Sequence, residues 1–312
     1  MNNKILGNLR LIVLAGFIII GLTACGSSSD LTGRGEKVIA YASYRDVGDS
    51  EVFIMTTAGE QLLKYGSIDQ RITRPAWSFD GQYLAFVLTL STDISNLDIY
   101  YMDADGSNQA QLTDHPGVDT DPAWAPNGNM LAFSSNRISW DETQTSPTTN
   151  FEVYIIRKDG TGITQLTFDP GWDLSPSWSP DGNQIVFTSN RTGDYEIVIL
   201  NLNDNRLTNV TNHPADDRSP KWSPDGNRIV FVSNRDGNNE IYSMNPDGGD
   251  LVRLTDHPGK DNSPSWSPGS DTIIFSTNRD GNFEIYTMNS DGTGLTRLTS
   301  NQEFDGYPAW QH

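Results

Sequence analysis

Cys25 is the one cysteine among 312 residues, so its thiol has no partner in the chain for a disulfide and is left for lipid or for another chain. The other recurrent chemistry is ionic. An Asp stands three residues before a proline at Asp119, Asp173, Asp217, Asp261 and Asp305, and an Arg recurs in step with it at Arg137, Arg191, Arg235, Arg279 and Arg45. Where the Asp position is Ile72, the Arg motif is replaced by Thr89-Leu90-Ser91, so both partners vanish together. That joint absence leads us to expect an Asp–Arg ion pair within each repeat, with a shared ring of acidic ligands as the alternative. His115, His213 and His257 each precede a proline at the same repeat position. Equivalent points on different repeats lie too far apart to converge on one ion, whose ligands sit about 2 Å away. No G-x-S-x-G, H-E-x-x-H, P-loop or EF-hand pattern is present. The expectation is a binding protein without metal or cofactor, not an enzyme. A polysaccharide- or peptide-processing enzyme, a carbohydrate-binding module and a calcium-stabilised scaffold are the alternatives.

The aromatic residues that leave the repeat point to the ligand. Trp140 lies in an insertion of about ten residues around Ile138 to Asn150, and Trp172 stands where other repeats have Val118, Asp216, Lys260 or Phe304. Trp140 and Trp172, with Phe304 and Tyr307, form the candidate ligand face, since aromatic side chains on a polar rim anchor peptides or sugar rings. The alternative is that each packs its own loop.

The N-terminus reads as an address. Lys4 and Arg10 precede the apolar run Leu11 to Leu22, too short for a stable membrane span and flanked as a secretory signal. Leu22-Thr23-Ala24-Cys25 resembles the bacterial lipobox, whose cysteine is acylated and becomes the new N-terminus. The expected organisation is a signal peptide over 1–24, a lipidated tether over 25–37 and a folded domain over 38–312. The expected location is extracytoplasmic and lipid-anchored, facing the periplasm from an outer membrane if the cell has one and otherwise on the outer leaflet of the cell membrane. A net charge of −19 disfavours nucleic acid.

Positioning these residues is the task of a repeat. Trp77, Trp124, Trp178, Trp222, Trp266 and Trp310 fall at intervals of 47, 54, 44, 44 and 44 residues. Each unit carries four short β signals, here called A to D: strand A ending in the tryptophan, a Ser-Pro-Asp-Gly-like turn, an apolar strand B, a strand C such as Glu240 to Met244, a second Asp-Gly turn and a strand D ending in Leu-Thr. Strands B and C are apolar at successive positions and must be buried on both faces. Such a unit cannot stand alone, and radial stacking buries both faces. An all-β six-bladed propeller follows. The first unit, from Val38, lacks a strand A, and Tyr307-Pro308-Ala309-Trp310 is a strand A with no blade after it. Pairing the C-terminal strand with the N-terminal blade closes the ring.

The string P-x-W-S-P-D-G-x-x-I-x-F-x-S-x-R-x-G-x-x-E-I-Y-x-M resembles the WD-like repeat of the TolB-type propeller family over residues 38–310. The resemblance implies a propeller that binds peptides or partner proteins across its channel mouth, here an envelope protein or peptide; the expected state is a monomer. The family's namesake carries an α/β domain before its propeller. This chain passes from tether to blade in about a dozen residues, so the resemblance is to the blades.

Overall fold

The computed structural model describes residues 37–44, 49–67, 69–90, 93–137 and 150–312. These residues form twenty-four strands in six four-stranded antiparallel sheets. Blade 1 holds β1 (Val38–Tyr44), β2 (Glu51–Thr56) and β3 (Gln61–Tyr65), and blade 2 holds β4 (Gln70–Trp77), β5 (Tyr83–Leu90), β6 (Asp93–Asp103) and β7 (Ala110–Gln111). Blade 3 is β8 (Asp119–Trp124), β9 (Met130–Ser135), β10 (Glu152–Arg157) and β11 (Thr164–Gln165); blade 4 is β12 (Asp173–Trp178), β13 (Gln184–Ser189), β14 (Glu196–Asn201) and β15 (Leu207–Asn209). Blade 5 is β16 (Asp217–Trp222), β17 (Ile229–Ser233), β18 (Glu240–Met244) and β19 (Val252–Arg253); blade 6 is β20 (Asp261–Trp266), β21 (Thr272–Thr277), β22 (Glu284–Asn289) and β23 (Thr296–Arg297). The last strand, β24 (Phe304–Trp310), pairs antiparallel with β1, Ile39 facing Trp310 and Ser43 facing Asp305. The fourth strand of blade 1 therefore comes from the C-terminal end, and the six blades close into a propeller.

The apolar residues are not buried inside single blades. Six core clusters lie between consecutive blades, and the tryptophan ending each strand A is the wedge. Trp77 packs among Val52 and Ile54 of blade 1, Trp222 among Val186 and Ile197 of blade 4, and Trp310 among Ile274 and Ile285 of blade 6. Phe86, Phe133, Phe187, Phe231 and Phe275 occupy one strand-B position and are fully buried. Removing one such ring costs about 3–5 kcal/mol.

The Asp-Gly turns are looser than a two-residue hairpin. Ser179 N–H donates to the Gln184 carbonyl across the A–B turn of blade 4, while the Asp181 carboxylate accepts from the Ser179 hydroxyl and the Asn183 N–H. Gly182 sits at φ 72°, the left-handed conformation that glycine adopts without penalty.

Every inner strand breaks its pleat once. The register to strand B shifts between Thr73 and Ala76, Thr120 and Ala123, Leu174 and Ser177, Arg218 and Lys221, and Asn262 and Ser265, with the same irregularity where β24 meets β1. At each bulge one residue before the proline has positive φ: Arg74 (54°), Asp121 (55°), Ser175 (54°), Ser219 (55°), Ser263 (52°) and Tyr307 (54°). None is a glycine, so each left-handed backbone costs about 1–2 kcal/mol, carried by the surrounding sheet. The proline that follows has no N–H to leave unpaired there.

Candidate functional site

The bulges build the channel. Arg74, Asp121, Ser175, Ser219, Ser263 and Tyr307 form one ring shared by two cavities, a mouth of about 480 Å³ and a chamber of about 160 Å³. Two blades place an ionic side chain in the ring, three a serine and the sixth Tyr307. The charged members are neighbours: Arg74 forms an ion pair with Asp121 and lies over the Tyr307 ring, 5.0 Å from its centroid. Asp121 also accepts the Ser175 N–H at 3.3 Å.

The mouth lies on the face of the D–A and B–C connections. Its wall includes Leu97, Phe151, Trp172, Tyr195, Arg218 and Phe304. Trp172 is 41% exposed and meets Phe151 edge-on at 5.6 Å. Phe304 is 38% exposed and packs against Phe283 and Tyr44 at 5.0 and 5.1 Å. Arg218 lies 3.7 Å over the Tyr195 ring and is held by Asp216 at 2.9 Å. Of the sequence-derived ligand face, Trp172 and Phe304 stand at the rim and Tyr307 lies deeper, in the ring. Trp140, Arg45 and Cys25 fall outside the described residues.

Below the ring, the chamber is walled by the six repeat tryptophans, with Phe79 and His312 towards the A–B turns. His312 stacks on Phe79 at 4.8 Å, and burial, with Lys37 nearby, pushes its imidazole down to about 4, so it is neutral at pH 7. The residue after each strand-A proline supplies the second ring: Ala76, Ala123, Ser177, Lys221, Ser265 and Ala309. Lys221 is its one charged member. Burial holds its ammonium below the usual lysine range, and Arg74 adds to that while Asp121 opposes it.

The recurrent Asp and Arg residues meet away from the channel. Asp119, Asp173, Asp217 and Asp261 begin their inner strands and Asp305 is the second residue of its own, all five fully buried. Arg137 lies 2.5 Å from Asp119, Arg191 2.8 Å from Asp173, Arg235 2.9 Å from Asp217 and Arg279 3.2 Å from Asp261. Each guanidinium also donates to the strand-B Ser or Thr two residues earlier, as Arg235 does to Ser233 at 2.8 Å, and lies over a strand-B phenylalanine. In blade 2, Ile72 takes the Asp position and joins the apolar core.

A second buried carboxylate begins strand C in blades 3, 5 and 6, and the repeat pattern of the sequence does not single it out. Glu152, Glu240 and Glu284 each accept the hydroxyl of the threonine two residues after strand D at 2.6 Å and a backbone N–H of the D–A loop at 2.8–3.0 Å. Arg253 and Arg297 pair with Glu240 and Glu284 at 3.2 and 3.1 Å. Blade 3 has Gln165 in that place. Burial, reinforced by Asp173 and Asp169, pushes Glu152 up to about 7; burial with Asp119 and Asp114 pushes Asp98, its blade 2 counterpart, up to about 6. The repeat histidines are structural. Nδ1 of His115, His213 and His257 accepts the backbone N–H two residues on at 2.9–3.1 Å. Among the described residues, no three of His, Cys, Asp and Glu come together as a metal site.

Residues 29–140 and 191–260 match the family described as the TolB beta propeller domain, more than half of the chain. The chain belongs to the TolB beta-propeller family. A TolB homolog of Chlorobium luteolum is 31% identical over 168 residues, covering 53% of this chain and 35% of that protein. An uncharacterized peptidase of Bacillus subtilis, YuxL, is 26% identical over 174 residues, covering 47% of this chain and 26% of its own. The chain thus spans about a third and a quarter of these relatives. TolB from Acinetobacter baumannii superposes with a TM-score of 0.76 at 24% identity, over 88% of this chain and 66% of that one, a likeness of fold.

The ring and Lys221 were missed in the sequence. The signal was available: aligned on the tryptophans, the residue before the proline reads Arg, Asp, Ser, Ser, Ser, Tyr, and the residue after it Ala, Ala, Ser, Lys, Ser, Ala. Phe168 was missed in the same way. It is 76% exposed in the loop that leads to Trp172, where other repeats have Asp114, Asn212, Asp256 and Ser300.

Proposed function

We propose that the chain is a binding propeller of the bacterial cell envelope, tethered by lipid at Cys25, that holds a protein or peptide partner at the mouth formed by its D–A and B–C connections. The observation that carries this reading is the asymmetric aromatic mouth. Trp172, Phe151 and Phe304 gather around an opening of about 480 Å³ that narrows onto the Arg74–Asp121 pair. Exposed aromatic anchors beside a partly buried arginine are what a hot spot requires, and a cavity of that size takes side chains rather than a whole domain. Family membership supports the same reading. The net charge of −19 favours a partner with basic or apolar segments over nucleic acid.

Chemical crosslinking of the full-length chain in its native membranes tests it. Trp172→Ala and Phe304→Ala should each reduce the crosslinked partner at least tenfold without changing the melting temperature; undiminished crosslinking in both would overturn the reading. Cys25→Ala should release the protein from the membrane fraction, and its retention there would refute the lipid tether. A second reading, a propeller that serves peptide hydrolysis, is favoured by the similarity to the peptidase of Bacillus subtilis. Turnover of a peptide panel by the purified chain would establish it.

A further inference from the structure

The chamber beneath the ring carries a charge that no ion pair among the described residues neutralises. Of the titratable groups around it, Arg74 is paired with Asp121, and His312 is neutral at pH 7. Lys221 has no ion pair or side-chain hydrogen bond among the described residues; its backbone pairs with Val230 in the sheet, and its carbonyl accepts the Trp266 indole N–H at 3.2 Å. A lysine here costs desolvation, and a structural role for its charge would require a partner. Alanine or serine holds the same position on the other five inner strands, so the strand does not need a long side chain there.

We propose that the chamber is a monocarboxylate site in which Lys221 pairs with the ligand's carboxylate and the hydroxyls of Ser219 and Ser263 in the ring above complete its shell. One guanidinium, one carboxylate and one ammonium leave the cavity with a single positive charge. A monoanion neutralises it, whereas a phosphate dianion would leave a negative charge among six indoles. The volume of about 160 Å³ is many times the roughly 10–15 Å³ of cavity space that one water needs, enough for a carboxylate with a short aliphatic stem. The hydroxyls of Ser219 and Ser263, like Lys221, have no side-chain hydrogen bond among the described residues, and they lie on the inner strands of blades 5 and 6, whereas Arg74 and Asp121 lie on those of blades 2 and 3.

A carboxylate can reach the chamber as a small free acid or as the C-terminus of a peptide entering through the mouth. The second source rests on the proposed peptide-binding function; the first does not. The chamber's tryptophans supply the readout. Intrinsic fluorescence of the full chain would be titrated with acetate, with acetamide, with tri-alanine and with tri-alanine amide. The wild type should respond saturably to acetate, to tri-alanine or to both, and to neither amide. Lys221→Met should weaken the response at least tenfold while Lys221→Arg retains it, with circular dichroism showing both variants folded. Acetate alone identifies a small acid and tri-alanine alone a peptide terminus, so failure of the peptide reading is separable from failure of the site. No response to either acid, equal response to the amides, or an unchanged response in Lys221→Met would overturn the proposal.

Discussion

The interfaces between blades and the bulges of the inner strands are products of one repeat, yet they diverge in opposite ways. At the interfaces the same residues return: a tryptophan wedge six times and a fully buried strand-B phenylalanine in five blades. At the bulges the backbone returns, with φ between 52° and 55° in all six copies, while the side chains run from arginine through serine to tyrosine. Identical residues keep the ring of blades in register, and an identical backbone carrying unlike residues gives that ring one asymmetric channel. Stability should therefore follow the first region, and ligand binding the second together with the mouth that opens onto it.

The sharpest way to break this division is at the closure. Deleting residues 307–312 removes most of β24, takes Trp310 out of the last interface and leaves β1 with an unpaired edge. The product should aggregate or melt far below the full chain, and an unchanged melting temperature would show that the ring does not need its last wedge. Next in size is the buried ion pair. Asp217→Ala strands the Arg235 guanidinium beside Ser233 and should cost about 3–5 kcal/mol in urea unfolding. The double variant with Arg235→Ala should cost less than the sum of the single losses, and strict additivity would deny the coupling.

A smaller effect separates blade 3 from blades 5 and 6. The Glu152 carboxyl, with Gln165 in place of Arg253 or Arg297, has its folded pKa raised from 4.5 to about 7. Between those values the folded state holds the proton more tightly than the unfolded chain, so this stabilisation is complete below about pH 4.5 and is lost as pH rises through 7. Asp98, raised to about 6, acts in the same direction. The urea midpoint should fall between pH 5 and pH 8, and Glu152→Gln should flatten that fall. An identical pH profile in the variant would place the titration elsewhere.

Much of this was legible in the sequence, because the fold repeats. Tryptophan spacing counts the blades, and the missing first strand A with the surplus last one locates the closure. The channel was hidden for a local reason. In an unbroken strand Asp217, Ser219 and Lys221 would share one face, but the bulge between Arg218 and Lys221 reassigns them. Asp217 turns to Arg235, Ser219 joins the ring and Lys221 enters the chamber. Alternation cannot reveal an inserted residue, whereas the comparison of six aligned copies at each position can. The strand-C carboxylates were passed over because acids are so frequent in the turns of this chain that only the threonine and backbone partners single them out.

The smallest expected change in stability belongs to the mouth, and it tests the division most directly. Trp172→Ala and Trp266→Ala remove the same side chain from a rim and from an interface. Melting temperature and crosslinked partner would be measured together on both full-length variants. Trp266→Ala should melt about 10 °C lower, as a loss of about 3–5 kcal/mol implies for a domain of this size. Trp172→Ala should melt within about 2 °C of the wild type, a loss under about 1 kcal/mol, and lose at least nine-tenths of the partner. A Trp172→Ala protein that melts unchanged and still captures its partner in full would contradict the account.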